Sequence, residues 1–416
     1  MRVRLWLFDK WRSVARRFGY EEYDACVLES EELYTRKAGD EITEQLYAFS
    51  DKGNRRVTLR PEMTPSLARM ISARGPALTF PLRWFSIPQC FRYERAQKGR
   101  KREHFQWNMD IVGLPGVAAE LELLSAQALF LQEVGLRIAP PHADVKFRIS
   151  NRQVLEHFLR DRQITGDQFL AVCVTVDKRD KIGVEATTQL LMENGIAPDL
   201  AQQIIELLNV HGLDELRAAV GEHNLGYQSL AELMSLARDS ELSGAVEVDL
   251  SVVRGLSYYT GTVWELFDST GTVGRAIAGG GRYDRLMETL GGKPTPMAGF
   301  GFGDIVITLV LAERRLLPDT HHVVHDVVFP LRQAQFGTAT VLASRLRAQG
   351  RTVTVDYTEQ RFRNILKRFQ DLRAQRLIVI GEDEVAAGAA KVIEFVGEDR
   401  KESALPLVTV DLHGAS

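Results

Sequence analysis

Arg92 and Glu94 lie one residue apart in the strand-like stretch Phe91-Arg92-Tyr93-Glu94. A cationic run follows, Arg95-Ala96-Gln97-Lys98-Gly99-Arg100-Lys101-Arg102, and then a second apolar stretch carrying Gln106 and Asp110. Two β-segments joined by a basic loop predict a hairpin with a charged floor, whose loop can fold over a polyanion. Guanidinium groups bind phosphate bidentately. If the chain binds a triphosphate, Arg92, Arg100, Arg102 and the distant Arg254 are therefore the candidate ligands. Read alone, the same loop is a solvated hairpin tip. Glu62, Glu94 and Asp110 each lie in or beside apolar sequence. Carboxylates beside arginines can hold an ammonium group and orient a polar base, or they can form a structural Arg–Glu network between strands.

Other routes to nucleotide chemistry are missing. Gly291-Gly292-Lys293 lacks the preceding glycine of a phosphate loop and runs into Pro294. Gly299, Gly301 and Gly303 have the wrong spacing for a dinucleotide turn. No Ser/His/Asp arrangement stands out, and His104, alone in a hairpin strand, reads as a packing or polar surface residue. Tyr258 and Tyr259 are adjacent, so only one can line a given pocket if the segment is extended.

The elements that must position these groups follow from periodicity and turn signals. Residues 2–18 read as an amphipathic helix ending at Gly19. Strand character at 21–28 and 56–59 precedes Arg60-Pro61-Glu62-Met63-Thr64-Pro65, after which a helix is expected from Ser66 to Arg74. Strands at 82–93 and 104–113 flank the basic loop, a strongly amphipathic helix is predicted over 118–133, and a strand over 143–149. From about residue 151 to 242 the texture is helical and poor in glycine, which reads as an inserted helical subdomain. Strand texture returns at 246–253. Glycine clusters at 279–281 and 299–303 then border β-segments, where missing side chains let a backbone or a ligand come close. Alternating strand and helix over 325–416 implies a small α/β domain with a mostly parallel sheet.

The chain has 416 residues, 45% hydrophobic and 26% charged, with a net charge of −3. That is room for two or three domains, and any nucleic-acid contact must come from local basic patches. Three cysteines, Cys26, Cys90 and Cys173, without a CxxC or a Cys/His cluster, argue for a reducing compartment and against structural zinc. No apolar run approaches the length of a membrane span.

These residues carry a resemblance to the histidyl-tRNA synthetases, a class II aminoacyl-tRNA synthetase family, over almost the whole chain. The hairpin resembles class II motif 2, and Leu59-Arg60-Pro61-Glu62-x-Thr64 the family's histidine-binding loop. Val253-Arg254-Gly255-Leu256-x-Tyr258-Tyr259-Thr260-Gly261 and Ala278-Gly279-Gly280-Gly281-Arg282-Tyr283-Asp284 resemble its two histidine-specific signatures. The resemblance implies an α+β fold: an antiparallel sheet flanked by helices (residues 1–320, with a helical insertion at about 160–242) and a C-terminal α/β anticodon-binding domain (325–416). It also implies histidine–tRNA ligase activity, with ATP as substrate, Mg2+ accompanying it, no protein-bound metal, a homodimer and a cytoplasmic location. By the same resemblance Arg92 would hold the α-phosphate and Glu94 the adenine amino group. Arg100 and Arg102 would contact the phosphates, with Arg282 as a further ATP ligand, and Gln97 would face the tRNA acceptor end. Glu62, Thr64, Gln106 and Asp110 would cradle the histidine amino group and nearby polar atoms, Tyr258 and Tyr259 would close its side-chain pocket, and Arg254 would stabilise charge at the α-phosphate.

The chain departs from the family pattern in three places. Val306 stands where class II motif 3 carries a phosphate-clamping arginine, leaving Arg282, Arg100 or magnesium to take over. Cys26 stands in place of the motif 1 proline, at the dimer interface. The chain also starts inside the first helix, without the strand that usually precedes it, as a truncated sequence would. Two rival readings follow: a catalytically reduced histidine-binding paralogue acting as a regulatory subunit, and an RNA-binding module using Lys367, Arg368, Arg373, Arg376 and Lys391.

Overall fold

The computed structural model describes residues 1–35, 43–95, 97–252, 259–271, 273–320, 324–358, 362–396 and 399–407. These fall into two compact units, Met1–Pro318 and Asp319–Ser416. Among the described residues no helix is long and apolar enough to cross a membrane.

The first unit opens with a helix, Arg2–Arg17, which buries Leu7, Phe8, Trp11, Val14 and Ala15 along one stripe. Its strands follow in chain order: β1 (Glu21–Glu22), β2 (Leu28–Ser30), β3 (Tyr47–Ser50), β4 (Arg56–Leu59), β5 (Leu82–Ser86), β6 (Gln89–Phe91), β7 (Glu103–Val112), β8 (Val145–Asn151), β9 (Val246–Val248), β10 (Thr262–Asp268), β11 (Ala278–Arg282) and β12 (Met297–Gly303). The main sheet runs β1-β5-β7-β12-β11-β10-β8-β9, with β6 also paired to β7. Its six central strands are antiparallel, and the short edge pairs β1–β5 and β8–β9 are parallel. The strand texture at 21–28 yields only β1 and the start of β2.

Side-chain alternation divides the sheet into two faces. Trp107, Met109, Ile149, Trp264, Phe300 and Phe302 point to one face and enter the main core. Across that face lies the helix Ala118–Glu133. It buries Ala119, Leu123, Leu124, Ala126, Ala128, Phe130 and Leu131 together with Glu120, Ser125 and Gln127. The expected amphipathic pattern is therefore corrected. The helix is sandwiched between the sheet, the first helix and the helix Leu225–Arg238, so most of its circumference is covered. The helices between Arg152 and Arg238 share this core with the sheet.

On the other face, the helix Thr64–Arg74 has Pro65 in its first turn, where a missing N–H costs no bond. It supplies Leu67, Ala68 and Ile71 to a second cluster with Val112, Tyr259, Tyr283 and Met297. The small sheet β2-β4-β3 lies on the same part of the chain.

The second unit holds β13 (Asp326–Pro330), β14 (Val353–Val355), β15 (Arg376–Ile380), β16 (Ala389–Val396) and β17 (Asp399–Pro406), in the order β14-β13-β15-β16-β17. The first three strands pair in parallel, as the strand–helix alternation predicts. The last two add an antiparallel hairpin, so the sheet is mixed rather than mostly parallel. Asp326 is fully buried and accepts from Arg351 and Arg376. Arg368 pairs with Asp356, Arg373 with Asp319 and Lys391 with Glu402. Arg368, Arg373, Arg376 and Lys391 of the expected basic face thus each have a carboxylate partner within the unit.

Candidate active site

The glycine clusters make a floor. Register sets Gly299 opposite Asp110 and Gly281, and Gly301 opposite Asn108 and Gly279. Directly opposed residues of antiparallel strands project to the same side. Asp110, Asn108 and Gln106 therefore rise from β7 beside two strands that carry no side chains there. A Cβ at Gly299 would overlap Asp110 and the Tyr283 hydroxyl, one at Gly301 would overlap the Gln106 amide, and one at Gly281 would lie 2.7 Å from the Tyr259 ring. Without Cβ atoms there, the side chains of Asp110, Tyr283, Gln106 and Tyr259 can lie across the sheet. Gly280 has the opposite parity and packs against Trp264 and Phe300 in the core.

Asp110 is 1% exposed. The Tyr283 hydroxyl donates to its Oδ1, and Oδ2 has no hydrogen-bond partner among the described residues. Burial pushes the carboxyl up to about 7, against the bond from Tyr283, which favours the charged form. A buried carboxylate with a spare oxygen is an acceptor for a cation. Tyr259 packs against Tyr283 with ring centroids 6.2 Å apart and closes one side.

The loop 60–64 lies against the hairpin. Arg60, 2% exposed, donates to the Gln89 carbonyl at 2.9 Å and to the Ala25 carbonyl at 2.8 Å. Arg92 donates from Nε to the Pro61 carbonyl at 3.0 Å, which leaves its terminal nitrogens for other partners. Glu62 and Thr64, the next residues of that loop, are both buried. Across the hairpin, the Arg92 N–H reaches the Arg102 carbonyl at 2.9 Å.

The basic loop ends in a tight turn, with Gln97 and Arg100 bridged through their backbones and Gly99 at φ +81°. That left-handed conformation suits glycine. Arg100 sits 3.1 Å from the Glu94 carboxylate, and Lys98 lies 3.2 Å from Glu313. Arg102 stacks over Tyr93 at 4.8 Å, and Gln97 is exposed. His104 is held neutral: burial and the nearby Arg92 charge lower its pKa to about 3, which fits a packing residue rather than a proton shuttle.

Arg92, Glu94 and Arg100 thus gather at the hairpin, and Gln106, Asp110 and Tyr259 above the glycine floor. Arg254 and Tyr258 lie outside the described residues. The expectation that Arg282 binds ATP is corrected. One residue on from Gly281, it points to the opposite face, where it meets Glu120 through Nε at 2.7 Å and Nη2 at 2.6 Å. Its remaining N–H groups go to Asp284 at 3.1 Å and to the carbonyls of Leu114 at 3.3 Å and Gly116 at 2.5 Å. Tyr283 and Arg60 were given no role from the sequence. Parity with Gly281 could have placed Tyr283 on the floor, whereas nothing local marks Arg60 as the anchor of its loop.

Comparison with known proteins agrees with this architecture. A model of the histidyl-tRNA synthetase family matches residues 2–303, and one of the anticodon binding domain matches residues 326–410. The chain is 44% identical over 392 residues to the chloroplastic/mitochondrial histidine–tRNA ligase of Arabidopsis thaliana, covering 94% of this chain and 80% of the relative. It is 40% identical over 396 residues to the histidine–tRNA ligase of Opitutus terrae, covering 93% and 89%. The crystal structure of histidyl-tRNA synthetase from Nostoc shares the fold, with a TM-score of 0.76 at 24% identity over 96% of this chain and 93% of that one.

Proposed function

The chain belongs to the histidyl-tRNA synthetase family and acts as a histidine–tRNA ligase, and on that premise we propose that both chemical steps run over the glycine floor of the first unit. The observation that carries this reading is Asp110, a buried carboxylate with one unpartnered oxygen, set beside Gln106 where Gly299 and Gly301 clear the space. An amino acid's ammonium group is the complement of that oxygen.

In the first step the histidine carboxylate attacks the α-phosphorus of ATP, and pyrophosphate leaves. In the second the 3′-terminal ribose hydroxyl of the tRNA attacks the activated carbonyl, and AMP leaves. Neither step needs a covalent bond to the enzyme. The protein's part is to position the reactants and to stabilise negative charge at a crowded phosphorus. Asp110 and Gln106 would receive the ammonium and nearby polar atoms, with Glu62 and Thr64 approaching from the loop that Arg92 holds. Arg92 would present its terminal nitrogens to the α-phosphate and Glu94 an oxygen to the adenine amino group. Arg100 and Arg102 would bind phosphate oxygens, Tyr259 with Tyr258 would bound the imidazole pocket, and Arg254 would stabilise the transition state. Gln97, exposed on the loop, would meet the acceptor end of the tRNA.

Among the described residues no three His, Cys, Asp or Glu side chains converge as metal ligands. Mg2+ would arrive with the triphosphate, whose oxygens satisfy its preference for hard ligands. The second unit would read the anticodon. A homodimer is supported by Val27, Leu28 and Phe49, large apolar residues exposed on and beside the small sheet. A cytoplasmic location is supported by three free cysteines. The regulatory-subunit reading is set aside, because both curated relatives are named as ligases and align with more than nine-tenths of this chain.

Histidine-dependent exchange of labelled pyrophosphate into ATP tests the proposal. Exchange that needs histidine supports it. Histidine binding without exchange would return the chain to the regulatory reading.

A further inference from the structure

Val306 leaves the expected phosphate clamp without a charge, and the structure brings another cation to the same spot. A Cβ built on Gly99, at the tip of the basic turn, would lie 3.8 Å from Val306 Cγ2 and 3.4 Å from Arg275 Cδ, with Arg275 Nε at 4.0 Å. The two side chains thus sit under one residue of the loop, Val306 from the helix Asp304–Glu313 and Arg275 from the connection between β10 and β11. Within that connection the Arg275 N–H bonds the Val273 carbonyl at 2.7 Å, and beside β11 the Ile277 N–H bonds the Leu266 carbonyl at 2.7 Å.

Arg275 is half-buried and makes no ion pair among the described residues. Its electrostatic neighbours are Arg100, which repels it, and Glu94, which attracts it. Burial first and Arg100 second lower the pKa of its guanidinium. Glu94 already pairs with Arg100 at 3.1 Å. Two cations therefore share one carboxylate, and the cluster carries a surplus positive charge in a partly desolvated place. Such an arrangement is costly unless an anion joins it. The other cations of the wall are committed: Arg282 to Glu120 on the far face, and Lys98 to Glu313.

We propose that Arg275 is a phosphate-binding residue for ATP, supplying from the β10–β11 connection the guanidinium that position 306 does not provide. The inference rests on the reading of the site given above. It assigns the anion to the polyphosphate end of ATP, since Glu94 and Arg92 occupy the nucleoside and α-phosphate end.

The test is steady-state ATP–pyrophosphate exchange by the full chain, with ATP and histidine varied separately, in a charge series at position 275. Arg275→Ala should raise the KM for ATP about tenfold or more, the size of one lost charge-assisted hydrogen bond. The KM for histidine should stay within about twofold of wild type. Arg275→Lys should recover part of the loss, and Arg275→Glu should exceed the alanine effect. Thermal unfolding midpoints equal to wild type would show that the site itself is intact. An ATP KM that does not follow the charge, or a histidine KM that rises in step with it, would overturn the assignment. Absence of histidine-dependent exchange in the wild-type protein is a separate outcome, which would remove the functional reading beneath it.

Discussion

Arg282 and Glu120 meet as a two-pronged ion pair, 2.7 Å and 2.6 Å long, between the end of β11 and the helix across the sheet. Both side chains are buried, so removing one strands the other without water. Glu120→Ala is expected to cost about 3–5 kcal/mol, a fall in Tm on the order of 10 °C. Replacing both residues with apolar ones of similar volume should recover much of that loss. A single mutant that kept its Tm but lost affinity for ATP would return Arg282 to the nucleotide site.

That pair also shows what a sequence can and cannot disclose. The hairpin 91–110 and the glycine runs are local signals, because strand alternation and missing side chains are written in consecutive residues. They suffice to place Gln106 and Asp110 on a floor. Arg282 sits in a signature resembling one that binds histidine, yet its direction depends on the parity of β11 and its partner lies 162 residues away. The partial burial of Arg275 beside Val306 is likewise a contact between separate elements. The C-terminal hairpin β16–β17 was missed because the strand–helix rhythm earlier in that domain pointed to a parallel sheet.

Gly301 and Gly280 are close in space and opposite in face, which separates function from stability. In Gly301→Ala the atoms nearest the new methyl are those of the Gln106 amide, the end of a flexible side chain. The protein should fold, with the histidine KM raised several-fold and the ATP KM little changed. In Gly280→Ala the methyl meets the Trp264 ring and the Gly299 carbonyl in the core. Overpacking there should cost about 1–3 kcal/mol. Thermal unfolding and exchange kinetics on both variants check the division, and equal effects on both readouts would refute it.

Arg254, within the run that resembles a histidine-specific signature, is expected to act only when charge develops at the α-phosphate. Arg254→Ala should lower the exchange rate by about 10²–10³-fold, roughly 3–4 kcal/mol. Because the loss is confined to the transition state, ATP and histidine KM values should change much less than kcat. Near wild-type turnover would remove the assignment.

If Asp110 receives the histidine ammonium as proposed, histidine binding should be sensitive to pH. Burial raises its carboxyl from 3.8 to about 7, so between those values the folded chain keeps a proton that the unfolded chain releases. Native stability from this group is therefore full below about pH 4 and declines as pH rises toward 7. Binding of histidine there should run the other way, because an ammonium group needs the carboxylate and would pull its pKa back down. Tyr283 donates to Asp110, and Tyr20 and Tyr23 feel its charge: their hydroxyls are raised first by burial and further by nearby carboxylates, Asp110 among them. Neither Tyr20 nor Tyr23 ionises in the working range, so the expected profile is that of Asp110 and of the imidazole of free histidine, with its ordinary pKa near 6.5. The histidine KM should fall between pH 6 and 8 more steeply in the wild type than in Asp110→Asn, which keeps only the imidazole titration. Tyr283→Phe removes the bond that favours the charged form and should move the wild-type inflection to higher pH. Parallel profiles for wild type and Asp110→Asn would show that the ammonium group is held elsewhere.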